Sequence, residues 1–84
     1  MTHLEQDIRD RLIDALELMI DPAEFHADTP LFQEDGGLGL DSLEALEIVT
    51  SLSNAYKINF EGAEKKDFQT IATLAQFVAA RRDG

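Results

Sequence analysis

A serine stands at the head of the chain's second helical period, directly after a glycine-rich stretch: Leu38-Gly39-Leu40-Asp41-Ser42-Leu43-Glu44-Ala45-Leu46-Glu47. A hydroxyl in the first turn of a helix lies beside backbone N–H groups that have no intrahelical acceptor, and the helix dipole favours an anion there. A phosphodiester on Ser42 would be well placed, and Gly39 permits close approach of another protein's backbone. Asp41-Ser42-Leu43 is also, as a bare tripeptide, an ordinary helix cap, because Asp and Ser are common residues of helix N-termini. No histidine is near enough in sequence to act as the base for Ser42, so a serine-hydrolase reading is poor. His26, flanked by Glu24 and Asp28, is expected to be a surface imidazole, since a zinc site needs several converging ligands; no metal site is expected. The absence of cysteine excludes a disulfide framework, a thiolate zinc site and a cysteine nucleophile.

The charge of the chain surrounds this serine with one sign. Seventeen Asp and Glu against seven Lys and Arg give a net charge of −10 over 84 residues. No Lys or Arg occurs between Leu12 and Tyr56, while ten acids do, from Asp14 to Glu47. Such a field repels nucleic-acid phosphates and anionic lipid surfaces and attracts basic proteins; solubility alone is the other use of it. Lys65-Lys66 is too short to be a nucleic-acid patch. No apolar run approaches the roughly 18 residues of a membrane span, and the polar, acidic N-terminus has no signal-peptide profile. A cytoplasmic location is expected.

The elements that must position Ser42 follow from periodicity. At 44% hydrophobic residues the chain should fold, as a single domain over residues 1–84. Leu4, Ile8, Leu12, Ala15, Leu16, Met19 and Ile20 fall at spacings of three and four. With the capping box Thr2/Glu5 and a stop at Asp21-Pro22, they predict a first helix over Thr2–Ile20. Residues 21–40 carry no period. A loop of that length is usually functional or self-packed, with Leu31, Phe32, Leu38 and Leu40 as anchors. Asp41 to Tyr56 is the second helix, begun by Asp41 with Glu44, with Leu43, Leu46, Val49, Leu52 and Tyr56 on one face and Glu44 and Glu47 facing solvent. Lys57–Phe60 is an extended return with Ile58 and Phe60 as anchors, and Ala63–Asp67 one irregular turn. Thr70 caps a last helix with Ile71, Leu74, Ala75, Phe77 and Val78 as its stripe and Arg81 and Arg82 near its end, where the dipole favours cations. The fold class is all-α: a small four-helix bundle of three main helices and one short one, with a long first loop.

The wider segment resembles the acyl carrier protein family. Its attachment motif is similar to Leu38-Gly39-Leu40-Asp41-Ser42-Leu43 followed by Glu44, Leu46, Glu47 and Ile48. Asp28-Thr29-Pro30-Leu31-Phe32-Gln33-Glu34-Asp35 resembles the family's approach to that motif; Leu52, Tyr56, Ile58 and Phe60 match its apolar positions, and Phe68, Thr70, Ile71 and Leu74 resemble the start of its last helix. The resemblance covers almost the whole chain. It implies an acyl-carrier-like domain in which Ser42, with Asp41 and Leu43 beside it, holds 4′-phosphopantetheine delivered from coenzyme A by a phosphopantetheinyl transferase. The terminal thiol of that arm would hold acyl groups as thioesters, and the protein itself would catalyse nothing. Ketosynthase, acyltransferase or acyl-ligase type enzymes would dock their basic patches on Asp41, Glu44 and Glu47, with Glu34 and Asp35 from the loop. The alternative for each acid is a solvated helix face. Leu43 is either a partly exposed partner contact or the first core position; Leu46 and Val49 are core or the lining of an acyl cavity. A monomer is expected.

Three departures from the family pattern stand out. Gly36-Gly37 is similar to a two-residue insertion that would loosen the approach to Ser42. Ser53-Asn54-Ala55 replaces the acids usual at the far end of the second helix. Glu61 stands where a proline is common, so the next turn is expected to differ. The motif itself is most similar to discrete carriers of bacterial specialised pathways, polyketide and aryl-polyene systems among them. Two rival readings use the same residues: a peptidyl or aminoacyl carrier, against which Asp41 and the net charge argue, and an unmodified acidic helical adaptor in which Ser42 is only a cap.

Overall fold

The computed structural model describes residues 1–83. Three α-helices, α1 (His3–Leu16), α2 (Ser42–Tyr56) and α3 (Ile71–Asp83), are joined by two single 3-10 turns, Pro22–Glu24 and Lys65–Phe68. The described residues contain no strand. The short fourth element is therefore one 3-10 turn, displaced by a residue or two from Ala63–Asp67.

Local chemistry sets the start of each helix. Thr2 and Glu5 close a capping box at α1, with Thr2 N–H donating to Glu5 Oε1 at 2.7 Å and Glu5 N–H to Thr2 Oγ1 at 3.1 Å. Thr70 and Thr73 do the same at α3, at 3.0 and 3.2 Å. The end of α1 corrects the sequence reading. The helix stops at Leu16, short of the expected Ile20, because Glu17 turns into the left-handed region (φ 52°). Leu18 N–H then reaches back to Ile13 O at 3.0 Å, a Schellman-type ending. Met19 is consequently fully exposed instead of part of the apolar stripe. Asp21-Pro22 opens the first 3-10 turn, with Asp21 Oδ1 accepting from Ala23 N–H at 2.9 Å.

The core draws on all three helices and on the long loop. Ile8 and Leu12, Ile48 and Leu52, and Ile71, Leu74, Ala75 and Val78 are buried, with Leu31, Leu40 and Phe25 from the loop. Phe25 is the largest fully buried side chain; burying one phenylalanine contributes about 1.5–3 kcal/mol, more than the ~1 kcal/mol of a typical cap. The α2 stripe read from sequence is rotated. At ~100° per residue, Leu46 lies about 160° around the helix from Ile48, so Ile48 and Leu52 face the core while Leu43 and Leu46 are 72% and 63% exposed. Helix α1 packs on both α2 and α3, whereas α2 and α3 barely touch; the space between their ends is filled by the loop and the second 3-10 turn.

Two polar clamps tie the ends together. Tyr56, last residue of α2, donates its hydroxyl to Asp7 Oδ2 on α1. Arg11 Nε donates to the same oxygen at 2.9 Å, and the Arg11 and Arg82 guanidinium carbons each lie 5.5 Å from the Tyr56 ring centroid. Arg81 donates to Asn59 O (2.8 Å) and Glu61 O (2.7 Å) and sits 4.4 Å from the Phe77 ring centroid. Phe77 stacks on Phe60, and Phe60 on Phe68. The turn carrying Glu61 is thus pinned to α3 by a side chain placed, on sequence alone, against the helix dipole.

Burial, and then the bond to Asp7, push the Tyr56 hydroxyl up to about 12, while Tyr56 and then Arg11 hold the Asp7 carboxyl below its ordinary value. The raised tyrosine adds stability that is complete below its unfolded value of about 10 and is lost as pH rises through about 12; the depressed carboxyl adds stability that is lost as pH falls through its folded value. Tyr56 is the only tyrosine, so a near-ultraviolet phenolate titration reports it alone. We expect a midpoint near 12 in the folded protein and an ordinary midpoint in denaturant; an ordinary midpoint in the folded protein would show that the clamp is absent in solution.

Candidate functional site

The approach to Ser42 is a closed loop. Leu38 N–H donates to Pro30 O, Gly39 N–H to Gln33 O and Leu40 N–H to Leu31 O, each at 3.0 Å. Leu31 N–H in turn donates to Gln69 O at 2.9 Å, and Ala72 N–H to Ala27 O at 3.0 Å, fastening the loop to the start of α3. Gly39 has φ 64°, a left-handed conformation that glycine adopts without strain. Gly37 is required for space: a Cβ there would lie 2.4 Å from Gln33 O and 2.6 Å from Pro30 O. Gly37 is therefore closely packed in this segment, against the expectation of a loosened approach, while Gly36 borders open space.

Helix α2 starts at a fixed residue. Asp41 is its N-cap: Asp41 Oδ1 accepts from Glu44 N–H and Glu44 Oε1 accepts from Asp41 N–H, both at 3.0 Å. Ser42 is then the first helical residue and is exposed. The cap belongs to Asp41 and not to Ser42, and among the described residues the Ser42 hydroxyl has no hydrogen-bond partner. The N–H groups of Ser42 and Leu43 lie ahead of the first intrahelical bond, Ala45 N–H to Asp41 O at 3.0 Å, and are free to meet an anion.

A pocket of about 710 Å³ opens beside this serine, lined by Leu40, Asp41, Ser42 and Ala45 around the start of α2, by Pro30, Phe32 and Gln33 from the loop, and by Lys65, Phe68, Gln69 and Thr70 from the second 3-10 turn and the residues after it. A second groove of about 570 Å³, lined by Val49, Ser53, Ile58 and Phe60 among others, shares Phe68 with the first. Of the two acyl-cavity candidates, Val49 lines this groove; Leu46 lines neither and faces solvent. Leu43 is likewise on the surface. Among the acids, Glu47, Glu34 and Asp35 are exposed, and Glu44 is half-buried with its carboxylate turned to the cap. His26 is exposed, its backbone N–H donating to Thr29 Oγ1 at 2.9 Å, and no group of three or more potential metal ligands converges among the described residues. No described helix is long and apolar enough to cross a membrane. Sequence reasoning missed Phe25, which lies in the stretch without period, and the place of Lys65 and Gln69 in the pocket wall.

The family model described as the phosphopantetheine attachment site matches residues 6–78. The chain belongs to the phosphopantetheine-attachment family. The prosthetic group of this family is covalent 4′-phosphopantetheine, and the donor set fits it: an uncommitted hydroxyl, two N–H groups without intrahelical acceptors, and an adjacent pocket. The chain is also 36% identical over 64 residues to proteins named acyl carrier protein from Onion yellows phytoplasma (strain OY-M) and Aster yellows witches'-broom phytoplasma (strain AYWB), covering 76% of this chain and 80% of each relative.

Since Gly37 abuts backbone oxygens, which a family member's attachment loop cannot move cheaply, Gly37→Ala should cost about 1–3 kcal/mol in chemical denaturation. A cost within a few tenths of a kcal/mol would mean that the loop repacks freely.

Proposed function

We propose that the chain is an acyl carrier protein loaded at Ser42. The observation that carries this is the exposed, uncommitted Ser42 hydroxyl at the open end of α2 in a chain of the phosphopantetheine-attachment family; the name of the phytoplasma relatives supports acyl cargo. In loading, a phosphopantetheinyl transferase brings coenzyme A to Ser42. The Oγ–H bond breaks, an Oγ–P bond forms, adenosine 3′,5′-bisphosphate leaves, and the serine proton passes to the transferase. The attached arm ends in a thiol that holds acyl groups as thioesters, a sulfur that this cysteine-free chain does not provide. Every other task is the chain's. Ser42 anchors the arm, the N–H groups of Ser42 and Leu43 receive its phosphate, and Asp41 with Glu44 fixes where that anchor stands. Val49 and the groove around it offer the apolar surface for a fatty or polyketide-type acyl chain. The Lys65–Phe68 turn takes the place of the family's short fourth helix. The chain is a carrier and not a catalyst, and we place it in the cytoplasm as a single domain.

Docking falls to the exposed side of α2. Glu47, with Glu34 and Asp35 on the loop and the outward Leu43 and Leu46, offers an acidic rim around apolar contacts, suited to basic patches on ketosynthase, acyltransferase or acyl-ligase type enzymes. Asp41 and Glu44 add charge, although their carboxylates also serve the cap. Long-range attraction of this kind raises the rate of encounter more than the affinity.

Intact mass after incubation with coenzyme A and a broad-specificity transferase tests the site. Wild type should gain one phosphopantetheine, while Ser42→Ala should stay folded, because Asp41 holds the cap, and gain none. Modification of Ser42→Ala would move the site elsewhere; an unmodified, folded wild type beside an active control would leave the acidic adaptor as the better reading.

Replacing Glu47 by Lys should slow transferase loading up to about fivefold at low salt, the range of one exposed ion pair, and the difference should shrink as salt rises. Equal rates at low salt would remove Glu47 from the docking face.

A further inference from the structure

We infer that Lys65 is a positioning residue for the arm, its ammonium held against the phosphodiester at Ser42. The inference rests on the loading of Ser42 proposed above. The chain has seven Lys and Arg residues, and among the residues lining the pocket beside Ser42 only Lys65 is a cation. The others are placed or engaged elsewhere. Arg9 and Arg11 pair with Asp10 and Asp7, Arg81 holds the carbonyls of Asn59 and Glu61, and Arg82 lies over Tyr56. Lys57 caps the far end of α2, ~20 Å from Ser42 at 1.5 Å per residue. Lys66, next to Lys65, is not in the pocket wall.

Lys65 itself forms no ion pair among the described residues. The one carboxylate lining the same pocket is that of Asp41, whose Oδ1 already accepts the Glu44 N–H. Lys65, without an ion-pair partner among the described residues, thus lines the same pocket as Ser42, together with Phe32, Leu40, Ala45 and Phe68. In a chain of net charge −10, with no cation from Asp14 to Ala55, the new phosphate charge enters a negative field, and Lys65 is the one cation in the pocket wall to offset it. Its lysine stem can lie along the apolar wall while the head stays in water. The expected consequence is a preferred path for the first part of the arm, out of α2 and toward the second 3-10 turn. The thiol end, many bonds further on, remains mobile.

The test uses full-length protein converted to the holo form, with wild type, Lys65→Ala, Lys65→Arg and Lys66→Ala compared. Intact mass comes first: a single adduct absent from Ser42→Ala establishes the attachment, and failure at that step counts against Ser42 and not against Lys65. On the loaded samples, phosphorus NMR reads the phosphodiester and nitrogen NMR reads the lysine ammonium groups. The Lys65 ammonium resonance should move between apo and holo wild type, and the phosphorus resonance should be displaced in Lys65→Ala, restored in Lys65→Arg and unaltered in Lys66→Ala. A phosphorus resonance that is the same in Lys65→Ala and wild type would overturn the assignment. Equal displacement in Lys65→Ala and Lys66→Ala would overturn it too, since that marks a diffuse field and not a positioned group.

Discussion

The position of Ser42 depends on one constraint, the residue at which α2 begins. The reciprocal bonds between Asp41 and Glu44 set it. Were the helix to start one residue later, Ser42 would become the cap and its hydroxyl would turn back to a backbone N–H, as capping serines do. With Asp41 as cap, Ser42 is the first residue beyond it, exposed and uncommitted. The loop enforces the same register from the other side. The bonds from Leu38, Gly39 and Leu40 to the carbonyls of Pro30, Gln33 and Leu31 leave Asp41 as the first residue able to leave the loop and enter the helix.

This economy gives two acids a double duty. Asp41 and Glu44 contribute to the negative field on which the proposed docking draws, yet their carboxylates are turned toward the helix end. Glu47, one turn on, is exposed and makes no hydrogen bond or ion pair among the described residues, so in the proposed docking it is the cleaner charge. Because exposed pairs contribute little each, a partner docking as proposed would be released readily.

Much of this was legible in the sequence, and the misses share a cause. The starts of α1, α2 and α3 follow from Thr2/Glu5, Asp41/Glu44 and Thr70, because caps are local chemistry. The family was legible because the motif around Ser42 extends well beyond Asp41-Ser42-Leu43. The end of α1 was not, because Glu17 in a left-handed conformation is a rare choice that no residue type announces. The burial of α2 was misphased because leucines at 43 and 46 are as apolar as isoleucine at 48, and a hydrophobic pattern does not distinguish a core face from a docking face. Phe25 and the pocket role of Lys65 depend on how the loop and the second 3-10 turn fold over the helices, contacts between residues far apart in sequence.

The same tertiary arrangement explains why the space lies where it does. Helices α2 and α3 barely touch, so the bundle is held by α1, which packs on both, and by two clamps at the end remote from Ser42. The Tyr56–Asp7–Arg11 cluster ties α2 to α1, and Arg81 ties the Asn59–Glu61 turn to α3. Near Ser42 the helices are bridged instead by loop residues and by the Lys65–Phe68 turn, and there the packing leaves the first pocket, while the second groove runs from Phe68 toward the Asn59–Glu61 turn. Local opening draws on regions with few buried apolar contacts. Phe68 lines both cavities and stacks at 5.8 Å on Phe60 alone of the aromatic cluster. A fold clamped at one end and bridged by loop residues and one turn at the other leaves an open, largely apolar pocket beside Ser42, above a core drawn from all three helices.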